Sequence, residues 1–64
     1  MTFGEKCKIV RKKVLLTQGE FAKEIGVAYA TVNRWERGRN LPNLKALKAF
    51  NAYCRENGIV VNKD

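Results

Sequence analysis

The chain has 64 residues, with 13 Lys+Arg against 6 Asp+Glu and a formal charge of +7. A chain this short buries only about 60% of its unfolded surface, which leaves no room for a deep, solvent-excluded catalytic cavity. There is no histidine, and the 2 cysteines, Cys7 and Cys54, lie in no metal-ligand spacing. Histidine-based zinc sites, the Ser-His-Asp triad and the Cys-His nucleophile are thereby removed together, and neither an enzyme activity nor a cofactor is expected.

The first predicted helix runs from about Phe3 to Leu15. Phe3, Cys7, Val10 and Val14 recur at spacings of four, three and four and define one face. Lys6, Lys8, Arg11, Lys12 and Lys13 fill much of the remainder. The second helix starts at Gln18, behind a capping box in which Thr17 is followed three residues later by Glu20. Its apolar residues are Phe21, Ala22 and Ile25, and Gly26 ends it by entering the left-handed conformation. The third spans about Tyr29 to Arg37, with Val32 and Trp35 inward, Val27 packing in the turn before it and Gly38 behind it. Pro42 disfavours helical geometry at Leu41. A fourth helix takes Asn43 as N-cap, with Leu44, Leu47, Phe50 and Cys54 as its core stripe, Ala46, Ala49 and Tyr53 as a second stripe, and Gly58 as its stop. A short apolar tail, Ile59-Val60-Val61, follows.

An isoelectric point near 9.9 is more easily understood in a compact domain if the partner is a polyanion. Cys7 and Cys54 occupy apolar-periodic positions and read as free buried thiols. No apolar run reaches the length of about 18 residues that spans a membrane, and no signal-peptide pattern opens the chain. A cytoplasmic protein is expected.

Two short helices joined by a glycine turn match a helix-turn-helix over about residues 18–37. Ala22 is small where the helices cross, Gly26 supplies the left-handed turn, Val32 plugs the core from the second helix and Trp35 closes the same face. The string LTQGEFAKEIGVAYATVNRWERGRNLPNLKAL, with CKIVR upstream, resembles the phage-repressor (Xre/Cro-like) helix-turn-helix family across about residues 5–54. The resemblance implies an all-α, lambda-repressor-like DNA-binding domain occupying residues 1–64, a compact bundle of four, at most five, helices.

It also implies roles for particular residues. The third helix would lie in the major groove with Ala28, Tyr29, Ala30, Asn33 and Arg34 toward the bases. Arg34 suits guanine O6 and N7, and Asn33 suits adenine, or a phosphate if it faces sideways. Ala28 and Ala30 suit thymine methyls or permit close approach, and Tyr29 suits the sugar-phosphate edge. Gln18, Arg37, Arg39 and Asn40 would hold phosphates, with Lys6, Lys8 and Lys12 as a weaker rim. Arg11 and Glu36 match positions that often form a partly buried salt bridge, a scaffold role. Leu15 departs from the family, standing where a glycine is usual, and Gly19 replaces a helix-favouring residue.

Double-stranded DNA is the expected partner, read as a transcriptional regulator that represses by occupying an operator. A protein-interaction module, such as an antitoxin or adaptor, and a non-specific architectural binder are the rivals. A homodimer would form through Ala46, Ala49 and Tyr53 or through the Ile59–Val61 tail.

Overall fold

A computed structural model describes residues 1–60. Four helices follow in chain order: α1 Phe3–Lys13, α2 Gln18–Ile25, α3 Tyr29–Glu36 and α4 Leu44–Glu56. No strand occurs among the described residues. α3 packs against both α1 and α2, and α2 packs against α4, so the helix-turn-helix is braced on either side. The folded chain measures 25 × 24 × 21 Å.

Local chemistry sets most of the helix ends. Thr17 and Glu20 exchange side-chain-to-backbone hydrogen bonds at 3.1 and 2.9 Å, closing the capping box at the start of α2. The same device opens α1 through Thr2 and Glu5. The Asn43 side chain accepts from the Ala46 amide at 2.8 Å and starts α4. Gly26 stops α2 at φ 89°, where an L side chain would be strained.

The core joins the four helices through aromatic edges. Cys7, Val10, Phe21, Ala22, Ile25, Val32, Trp35, Ala46, Phe50 and Cys54 are buried. Each fully buried large side chain contributes on the order of 1.5–3 kcal/mol. Phe3 meets Trp35 at 5.2 Å and Phe50 at 4.9 Å between ring centroids. Phe21 meets Phe50 at 6.1 Å and Tyr53 at 5.4 Å. All four pairs are edge-on, the arrangement the ring quadrupoles favour.

The fold corrects several expectations. α1 ends at Lys13, with Val14 as C-cap, and Leu15 takes φ 59° in the link. The leucine thus adopts the left-handed geometry that a glycine usually supplies, with its side chain 88% exposed. α3 ends at Glu36, and Arg37 is its C-cap. Leu44 leaves the predicted core stripe: it is 68% exposed at the first position of α4, while Ala46, on the second stripe, is 8% exposed and buried. Ala49, Tyr53 and Ile59 are half-buried against the same core. Of the stripe expected to form a dimer surface, Ala46 thus lies inside the monomer, while Ala49 and Tyr53 keep part of their surface exposed. Of the tail, Val60 is exposed; Val61 and residues 62–64 lie outside the described residues.

Candidate nucleic-acid interface

The turn at Gly26 sends the chain into α3 with Val32 and Trp35 buried. Helical periodicity then leaves the remaining face outward. Ala28, Tyr29, Ala30 and Arg34 are exposed, and Asn33 and Thr31 are half-buried. Ala28 is the N-cap of α3 and offers no side-chain acceptor to the first turn, where the Thr31 amide instead bonds back to the Ala28 carbonyl at 3.0 Å. Arg37, Arg39 and Asn40 are exposed at and beyond the end of α3. Their backbone is tied back by Arg37 N to Asn33 O at 3.1 Å and Arg39 N to Arg34 O at 2.9 Å.

Arg34 and Asn40 share an open groove of about 490 Å³ between α3 and α4, with Thr31, Leu41, Asn43 and Lys45 also in its lining. Lys45 was missed by the sequence reading. A lysine in the first turn of a helix runs against the dipole, and that unfavourable placement was the available signal. Lys6 goes elsewhere: it lines a second groove with Asn51, Cys54, Arg55 and Ile59 near the end of α4. Lys8 and Lys12 are exposed on α1.

Beneath the exposed face lies a polar network centred on Glu36. Arg11 donates from Nε to Glu36 Oε2 at 2.7 Å and from Nη2 to Oε1 at 2.9 Å. Its Nη1 reaches the Leu16 carbonyl at 3.1 Å. The side chains of Arg11 and Glu36 are 16% and 2% exposed, so this pair is largely shielded from solvent. Gln18 Nε2 donates to Glu36 Oε1 at 3.0 Å, and Asn33 Nδ2 donates to Gln18 Oε1 at 3.0 Å. The Cys7 thiol approaches Glu36 Oε2 at 3.7 Å. The Gln18–Asn33 link is not legible in the sequence, because the two residues stand on different helices.

Electrostatics follow from this packing. Burial by itself raises the Glu36 carboxyl, but the hydrogen bonds from Arg11, Gln18 and Cys7 and the Arg11 charge together hold it below the usual carboxylate value. Its hydrogen bond to Glu36 raises the Arg11 guanidinium. Burial first, then the neighbouring Glu36 charge, pushes the Cys7 thiol up to about 12. Burial also raises Cys54. Both thiols are free and buried. No cluster of three or more metal-ligating side chains occurs among the described residues, and no helix there is long and apolar enough to cross a membrane.

Two short packed helices with Ala22 buried, a left-handed glycine between them and a third element bracing each define the helix-turn-helix class of fold. The chain belongs to the family described as Helix-turn-helix, which matches residues 8–57. It is similar to the HTH-type transcriptional activator BcrR of Enterococcus faecalis, 32% identical over 53 residues, which are 83% of this chain and 26% of that protein. It is also similar to the HTH-type transcriptional regulator DicA of Escherichia coli (strain K12), 36% identical over 50 residues, 78% of this chain and 37% of that protein. The chain therefore spans about a quarter to just over a third of the length of these relatives. No solved structure gives a significant match.

Proposed function

We propose that this chain binds double-stranded DNA sequence-specifically, as the DNA-reading module of a transcriptional regulator in the cytoplasm. The observation that carries the reading is the division of α3: Val32 and Trp35 are buried, while Tyr29, Ala30 and Arg34 stand outward in a chain of net charge +7. In a helix-turn-helix the second helix enters the major groove with its outward side chains on base edges. Arg34, exposed on this face, forms the bidentate pair with guanine, the commonest specific contact. Ala28 and Ala30 allow close approach, Tyr29 meets the backbone edge, and Asn33 reads a base beside Arg34. Gln18, Arg37, Arg39 and Asn40, joined by Lys45, hold phosphates and fix the register.

One such helix reads only a few base pairs, so two copies on half-sites about one helical turn apart complete the site. Occupancy of an operator is sufficient for repression, because it blocks polymerase with no further group on this domain. The relatives' names support transcriptional control, one of them as an activator.

Binding measurements on Arg34→Ala and Arg39→Ala variants test the assignment. Arg34→Ala should lose about 1–3 kcal/mol of discrimination at a single base pair. Arg39→Ala should weaken all sequences alike and lower the salt slope by about 1. A site preference left intact by Arg34→Ala would remove α3 from the recognition role.

A further inference from the structure

The hydrogen bonds leaving the Arg11–Glu36 pair have a fixed direction. A carboxylate engaged by Arg11 only accepts, so Gln18 must turn its Nε2 toward Glu36 Oε1, where it sits at 3.0 Å. Gln18 Oε1 is then the end left for its neighbour, and it accepts from Asn33 Nδ2 at 3.0 Å. The same constraint passes on to Asn33. With Nδ2 committed to Gln18, Oδ1 becomes the free end of the amide, and no group among the described residues donates to it. Amide ends are assigned by their partners, and here every partner traces back to an anion. Turning Asn33 alone would set Oδ1 against Gln18 Oε1. Turning both amides would set Gln18 Oε1 against the carboxylate. The first alternative opposes two amide oxygens, and the second opposes an amide oxygen to a carboxylate that is 2% exposed, where repulsion is poorly screened.

We propose that the Arg11–Glu36 ion pair, acting through Gln18, fixes the Asn33 amide with its carbonyl oxygen toward the DNA, so that Asn33 selects a base carrying an exocyclic amino group. The proposal rests on the DNA-binding reading above. In the major groove, adenine N6 and cytosine N4 donate, whereas guanine and thymine present only acceptors. The second Asn33 Nδ2 proton is uncommitted and reaches adenine N7, which ranks adenine above cytosine. Arg11 and Glu36 touch no base in this scheme. They are positioning residues that set specificity from beneath the recognition helix.

The test compares base preference position by position. Asn33→Ala first locates the base pair whose preference it abolishes; an unchanged profile would overturn the proposal. Native chain, Gln18→Met and Glu36→Gln are then titrated against four duplexes that differ only at that pair. The native chain should prefer adenine, then cytosine. Gln18→Met keeps the ion pair but frees the Asn33 amide to turn, so discrimination there should fall by roughly tenfold while the Arg34 pair keeps its preference. Glu36→Gln should do the same where circular dichroism shows it folded, and Gln18→Met decides alone where it is not. If Gln18→Met weakens all four duplexes equally, its glutamine serves only a phosphate; the relay fails and the DNA reading stands. A native preference for guanine or thymine also overturns the relay. A native chain that binds no duplex overturns both.

Discussion

At the scale of single residues, four hydrogen bonds converge on Glu36, from Arg11 twice, Gln18 and Cys7, and they hold its carboxyl below the usual value against the effect of burial. A carboxyl lowered in the folded state contributes stability that is complete above its unfolded value of about 4.3. That contribution fades as pH falls through the folded value. Glu36→Gln should therefore be less stable at neutral pH and show a shallower loss of stability below about pH 4. Arg11→Ala should cost up to about 3 kcal/mol, the low end for a buried pair, because Arg11 retains some solvent. Urea unfolding across the acid range measures both, and an unaltered acid limb in Glu36→Gln would locate the sensitivity elsewhere. The thiols give a second check. With Cys7 pushed up to about 12 and both cysteines buried, iodoacetamide should label neither in the native chain and both in the unfolded one. Rapid labelling under native conditions would contradict the packing. The burial of Cys7 was legible from its helical spacing with Phe3, Val10 and Val14. The Gln18–Asn33 bond was not, since it depends on how two helices face one another.

At the scale of elements, two helical glycines carry opposite predictions. A Cβ on Gly4 would collide with the Trp35 carbonyl oxygen, since α1 passes directly over the end of α3, whereas nothing lies within 4 Å of a Cβ on Gly19. Helix propensity alone favours alanine over glycine by up to about 1 kcal/mol. Gly19→Ala should follow that preference and stabilise the chain. Gly4→Ala should reverse it and cost roughly 1–3 kcal/mol, because backbone must move. Thermal unfolding of the two variants reads the sign directly, and a stabilised Gly4→Ala would refute the close approach. Gly4 was silent in the sequence because its constraint comes from another helix. The Thr17–Glu20 box and Gly26 were readable, being local chemistry. Thr2–Glu5 carries the same signature at the start of α1. The end of α1 was misread because Leu15 adopts φ 59°, at a strain of roughly 1–2 kcal/mol that no residue type announces.

At the scale of the whole molecule, the periodicities of four helices and the spacing of Ala22, Gly26, Val32 and Trp35 made the bundle legible. Its assembly was not: Ala46 and Ala49 share a helical stripe with Tyr53, and periodicity does not say that Ala46 is buried and Tyr53 packs on Phe21. The outward residues of α3 were legible as well, because burying Val32 and Trp35 leaves Tyr29, Ala30 and Arg34 one direction to face. The charge of +7 makes binding to any polyanion salt-sensitive, so affinity alone cannot separate a regulator from an architectural binder. Selection from a randomised duplex library at near-physiological salt makes that separation. A sequence-reading regulator should enrich an inverted repeat with half-sites about one helical turn apart. Salt-sensitive binding with no enriched sequence would contradict that reading.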